Sequence, residues 1–195
     1  MEEIGGCEPG LVEHSTIIDR LCKDKLVTEA FKLFSEMIGK ANEAQAVVQL
    51  IIQRGVVPDV VTYNAVMDGY CLCGQVDEAR KMFDVMVSRG CAPNVFAYNI
   101  LINGYCKINN IDEPMNLFKE MSRKGLFPDT ITYTALIGGL CQTRRPQDAL
   151  LLLDEMRTYG QIPSLFTYST LLDGLCNNQY LDEALALFEK LKQLN

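Results

Sequence analysis

Residues 60–94 read VVTYNAVMDGYCLCGQVDEARKMFDVMVSRGCAPN, and the phrase returns at residues 95–129 as VFAYNILINGYCKINNIDEPMNLFKEMSRKGLFPD. Tyr63, Tyr98, Tyr133 and Tyr168 stand 35 residues apart. The same step relates Gly69, Gly104, Gly139 and Gly174, then Cys71, Cys106, Cys141 and Cys176, then Pro58, Pro93, Pro128 and Pro163. Four residue types repeating in phase mark one structural unit copied along the chain, and a period of this size implies a solenoid or related array.

Within the first copy, Tyr63, Val66, Met67 and Tyr70 recur at helical spacing, so the first half is an amphipathic helix with one apolar face. Gly74-Gln75 stops it. The second half, from Val76 to Ser88, is another helix, with Asp77 and Glu78 in its first turn where they suit the helix dipole. Its apolar stripe is Ala79, Met82, Phe83 and Met86; Gly90 closes it and Pro93 blocks continuation. Helices of about three turns are marginal alone. Stacking the pairs buries their stripes, which predicts an all-α fold, an α-solenoid of helix-turn-helix units. Gly69 and its equivalents sit inside the first helix, where Gly costs roughly 1 kcal/mol against Ala. A close approach of helices at one fixed contact explains them.

The complete units are 60–94, 95–129 and 130–164, and unit 165–195 lacks its last loop. Residues 11–40 form an earlier unit, 41–59 a second helix and loop alone, and 1–10 the tail of a preceding unit. About 21 residues, a whole first helix, are missing at the join, so one long or tightly kinked helix is expected across 28–54. Pro114 replaces the alanine of Ala79, Ala149 and Ala184 and predicts a bend or weakened first turn; Pro146 opens its helix, where Pro is tolerated.

Composition narrows the function. Of 195 residues, 48% are hydrophobic, enough for a core, and the net charge is −7. The acidic excess is spread: 6 basic and 10 acidic side chains in residues 1–59, 12 and 15 in residues 60–195. Such a chain does not grip nucleic acid by bulk charge. The start, MEEIGGCEPG, reads as neither a secretory signal nor a transit peptide, and no apolar stretch reaches the ~18 residues of a membrane span. Eight cysteines suggest disulfides or zinc. However, Cys71, Cys106, Cys141 and Cys176 keep the repeat step, Cys22 takes the matching place in the earlier unit, and no tetrahedral ligand set is spaced out. Small apolar groups in an interior layer, reduced in an intracellular compartment, are expected, with no metal. Catalysis is not expected. The one histidine is His14, no deaminase signature, phosphate loop or nucleophile elbow is present, and Asp77, Glu78, Asp112 and Glu113 are helix-start residues.

The phrase of residues 60–129 resembles the pentatricopeptide repeat of the pure, 35-residue P class: a TYN-type start, a G-x-C step, an acidic pair, F and M on the second stripe, and a closing P-N or P-D. The flavour resembles the mitochondrial fertility-restorer-like group of plants, in a truncated member. The tetratricopeptide repeat differs in its period of about 34 and its Trp signature. The resemblance implies sequence-selective binding of single-stranded RNA, one unit to one base, in organellar RNA processing or stability. It implies a monomer without cofactor, mitochondrial rather than plastid.

It also implies roles for residues. The base-reading positions are the fifth and last of each unit: Asn64 with Asn94, Asn99 with Asp129, Thr134 with Ser164, and Ser169, whose partner would lie past Asn195. Ser15 corresponds near the N-terminus, with Asp59 displaced by the missing helix. The family rule gives C for Asn with Asn, U for Asn with Asp, and a purine lean for Thr or Ser, so the expected reading is C-U-purine-purine, 5′ to 3′. Asn and the short polar side chains can distinguish base edges; alternatively Asn64 and Asn99 cap their helices. The second positions, Val61, Phe96, Ile131 and Phe166, stack on bases or pack between units. Lys107 and Lys23 keep a lysine expected near phosphate; Leu72, Gln142 and Asn177 do not. A peptide-binding scaffold and an inert repeat fragment are the competing readings.

Overall fold

The structure, a computed structural model, describes residues 58–192. The expected units 1–10 and 11–40, the helix across 28–54, and Ser15, Cys22 and Lys23 lie outside the described residues. Those described form eight helices and no strand: α1 Val60–Leu72, α2 Val76–Ser88, α3 Val95–Lys107, α4 Asp112–Arg123, α5 Thr130–Gln142, α6 Pro146–Thr158, α7 Leu165–Asn177 and α8 Leu181–Lys192. The odd helices pack directly on one another in sequence, and each even helix packs on the odd helix before it. This is an α-solenoid.

The expected stripes are the core. Tyr63, Val66, Met67 and Tyr70 of α1 are buried, as are Ala79, Met82, Phe83 and Met86 of α2. Successive units lock through aromatic edges: Phe83 meets Tyr98 at 5.1 Å between ring centroids, and Phe118 meets Tyr133 at 5.5 Å, both near T-shaped. Tyr98 adds a hydrogen bond from its hydroxyl to Glu120 Oε1 at 2.9 Å.

Three of the helical glycines, Gly104, Gly139 and Gly174, are explained by sulfur, while a Cβ on Gly69 meets nothing among the described residues. A Cβ placed on Gly104 would stand 2.7 Å from Cys71 Sγ of the preceding unit, and one on Gly139 would stand 2.6 Å from Cys106 Sγ. Cys141 fills the same place against Gly174. Each first helix therefore inserts a thiol into the side-chain-free position of the next. Burial pushes the thiols of Cys71 and Cys106 up to about 12 and that of Cys141 to about 11. They act as small apolar knobs, not as nucleophiles or ligands.

Helix ends follow the turn chemistry. Gly90, Gly125 and Gly160, each just past a unit's second helix, are all left-handed, and Cys91 N–H reaches back to Met86 O at 3.1 Å to close the α2 end. Inside the units the left-handed position is Gly74 once, but Asn109, Arg144 and Gln179 elsewhere. These three take the strain because the same closing bond is made, for example Arg145 N–H to Leu140 O at 2.8 Å. Pro114 weakens its first turn as expected. Helix α4 begins at Asp112, one residue later than its counterparts α2 and α6, and it lacks the N–H bond that Ala79 and Ala149 make at 3.2 Å. Pro146 is the first residue of α6.

Two outcomes follow from the thiol contact. Gly139→Ala should destabilise the chain by about 1–3 kcal/mol, as overpacking does, seen as a lower urea midpoint. Adding Cys106→Ala should recover part of that loss, because it removes the sulfur and leaves the backbone alone. In timed iodoacetamide labelling at mildly alkaline pH, exposed Cys73 and Cys176 should react well before buried Cys106 and Cys141.

Candidate nucleic-acid interface

The last residue of each unit is the N-cap of the next unit's first helix. Asp59, Asn94, Asp129 and Ser164 hold extended backbone, and each side-chain oxygen accepts the N–H of the third helical residue: Thr62, Ala97 and Thr132 at 2.9 Å and Thr167 at 3.1 Å. The capping role weighed for Asn64 and Asn99 therefore falls on other residues. Those two are the fifth residues of α1 and α3, beyond the unbonded N–H groups that a cap serves.

The fifth and last positions of each unit are brought together where the next unit's first helix begins. Asn64 Nδ2 donates to Asn94 Oδ1 at 3.4 Å, and Asn99 Nδ2 donates to Asp129 Oδ1 at 3.1 Å. Thr134 and Ser164 are joined through a third side chain: Thr134 Oγ1 lies 2.7 Å from Thr167 Oγ1, which lies 2.9 Å from Ser164 Oγ. The fifth residues are deep, with Asn64 4%, Asn99 7% and Thr134 9% exposed. Asn94 and Ser164 are exposed and Asp129 half-buried, so the last residue offers the larger polar surface of each pair. Ser169 is exposed on α7.

The second positions do not pack between units. Val61 is 47%, Phe96 58%, Ile131 63% and Phe166 72% exposed, an apolar row in solvent at one residue per first helix. A groove of about 540 Å³ across α3, α5 and α7 gathers the three predicted classes together: Thr134 and Ser164, Ile131 and Phe166, and Lys107. Lys107 is exposed in the last turn of α3. An adjoining hollow holds Arg144 beside Gln142 and Asp173, a cation that sequence reasoning did not single out because it sits two residues past the expected lysine place.

Sequence reasoning also passed over Thr132 and Thr167. Their recurrence on the 35-residue step with Thr62 was visible, but their partners one unit away were not. Among the described residues no cluster of His, Cys, Asp or Glu could hold a metal, and no helix is long and apolar enough to cross a membrane.

The PPR repeat family profile matches residues 58–107, 93–142 and 128–177, and single PPR repeat profiles match residues 5–38 and 166–195. No curated protein matches the chain significantly. Among solved structures, the pentatricopeptide repeat protein PPR10 in complex with an 18-nt psaJ RNA element is 27% identical with a TM-score of 0.70, covering 97% of this chain and 26% of that one. Unliganded PPR10 from maize gives 27% and 0.67, covering 97% and 25%. The PPR domain of Arabidopsis thaliana protein-only RNase P 1 in complex with tRNA is 17% identical with a TM-score of 0.72, covering 87% and 89%, a likeness of fold. This chain thus spans about a quarter of the length of PPR10.

With so few cations near the groove, any polyanion bound there should show shallow salt dependence. A single-strand slope of about −0.7 per phosphate contact gives roughly −0.7 for Lys107 alone and roughly −1.4 with Arg144. In a salt titration Lys107→Ala should flatten the slope by about 0.7.

Proposed function

The chain belongs to the PPR repeat family, and on that premise we propose that it binds single-stranded RNA selectively, one unit to one base, without catalysis. The observation that carries this reading is the groove that gathers a fifth/last pair, two exposed second-position side chains and Lys107. Every base has a face, so Val61, Phe96, Ile131 and Phe166 are suited to stack or wedge without regard to sequence. Selection falls to the polar pairs.

The caps explain how. Asn94 commits Oδ1 to the Ala97 N–H and to Asn64, so its Nδ2 donors are what it offers a ligand. Asp129 commits Oδ1 to Thr132 and Asn99, so its second oxygen can only accept. Cytosine carries an acceptor at N3 and uracil an N–H there. Asn64–Asn94 therefore suits C and Asn99–Asp129 suits U. In the third pair, Thr134 donates to Thr130 O at 2.7 Å, which makes Thr167 donate to Thr134 and Ser164 donate to Thr167. Only lone pairs remain facing outward, and the lean to a purine at this place comes from the family resemblance. With Ser169 following, the reading is C-U-purine-purine. We also place the chain in the P class with the fertility-restorer-like proteins, serving organellar transcripts in the mitochondrion.

Fluorescence anisotropy with short labelled oligonucleotides tests this. A strand with the CU core should bind more tightly than its scramble, and equal affinities, or none at micromolar protein, would sink the proposal. Binding of peptides in place of RNA would move the chain to the scaffold reading. Asp129→Asn should turn the second letter from U toward C, changing each preference about three- to tenfold, as expected for one hydrogen bond exchanged.

A further inference from the structure

We propose that the third residue of each first helix is a specificity-determining positioning residue for the pair just before it: Thr132 for Asn99–Asp129, Thr167 for Thr134–Ser164, and Ala97 for Asn64–Asn94. This rests on the base-reading proposal above and divides the sites into a locked class and a loose one.

Proton accounting carries the argument. The Asp129 carboxylate can only accept, so Asn99 must turn Nδ2 toward it, at 3.1 Å. That orientation leaves Asn99 Oδ1 facing Thr132 Oγ1 at 2.6 Å. Thr132 Oγ1 also lies 2.9 Å from Asp129 Oδ1, but its one proton belongs on the shorter contact, since two oxygens at 2.6 Å need a proton between them and Asn99 Oδ1 has none; the same hydroxyl accepts from Asp129 N–H at 3.2 Å. Turning the Asn99 amide over would set its oxygen against the carboxylate. Asn99 therefore has one orientation, and Thr132 and Asp129 fix it together. Thr132 itself is fully buried.

The equivalent of Thr132 one unit earlier is Ala97, which has no hydroxyl. There Asn64 Oδ1 is buried and without a partner among the described residues, and the amide is held by a single long bond to Asn94. A buried acceptor with no donor is a cost, and here no hydroxyl shares in holding the amide, as Thr132 does at Asn99. The first letter is accordingly read by a loose amide and the second by a locked one. Ala97 occupies the same buried helix position at which Thr62, Thr132 and Thr167 stand in the other units.

The test measures dissociation constants of the full chain for four oligonucleotides differing only as C or U at the first two letters. Wild type should discriminate more sharply at the second letter than at the first. Thr132→Val keeps the shape and removes the hydroxyl; it should cut second-letter discrimination about three- to tenfold and leave the first letter unchanged. Thr132→Ser should retain it. Ala97→Thr should raise first-letter discrimination by a similar factor. Each ratio is taken within one variant, so a general loss of stability cancels. If Thr132→Val does not fold, as judged by circular dichroism, Ala97→Thr decides alone. Wild-type discrimination left untouched by both variants, or altered equally at both letters, overturns the inference while base reading stands. A wild type blind to both letters overturns base reading itself.

Discussion

The spacing of the first helices rests on a thiol set against a missing side chain. Cys71, Cys106 and Cys141 each press on the glycine 33 residues further on, closely enough that even a methyl group would collide. Because packed interiors resist a change of one methylene, this contact defines how near successive first helices lie and at what register. The register in turn decides whether a fifth residue can meet the last residue of its own unit. The bonds from Asn64 to Asn94 and from Asn99 to Asp129 exist only because the next helix begins where that contact puts it. Interior packing and the pairing of fifth with last residues are thus one constraint expressed on two faces of the same helix layer.

The last residue of each unit caps a helix, and that job prepares it for the recognition we propose. As an N-cap it holds one side-chain oxygen against a backbone N–H. That bond fixes the rotamer, so the atom left over points as the helix start dictates and needs no ordering when a ligand arrives. Such preorganisation makes recognition cheaper in entropy. It also makes the choice between Asn and Asp sharp. The cap accepts through oxygen in either case, while the remaining atom is a donor in one and an acceptor in the other. A residue chosen only for capping could be Asp, Asn or Ser almost interchangeably, so variation among Asn94, Asp129 and Ser164 leaves helix stability nearly untouched and changes what is offered outward.

How far the sequence could be read follows from which interactions are local. The two-helix units, their stripes, the late start of the helix holding Pro114 and the tight contact at the helical glycines were all legible, because periodicity, caps and proline act within a few residues. Asn109, Arg144 and Gln179 in left-handed turns were not flagged, since only Gly74 carries the turn residue that would announce one. The cap role was looked for at Asn64 and Asn99, whereas the bonds show it one residue before each helix. Thr132 and Thr167 were visible as a recurrence without a purpose, because their partners lie 33 residues back and become neighbours only after stacking. Periodicity says which positions are equivalent; it does not say which positions meet.

The net charge of −7 shapes the kind of recognition such a surface can support. A binder rich in phosphate contacts gains affinity for every strand alike, and its selectivity is diluted by competing sequences. Here the groove offers Lys107 and, at its margin, Arg144 set beside Asp173, so indiscriminate attraction is small. On the proposed reading, a strand would be held by the polar pairs and the apolar row, terms that are modest for each unit and grow with the number of units engaged. Few units give weak but choosy binding. Strength has to come from length, and because each unit contacts only its neighbours, length is the variable a solenoid changes most easily.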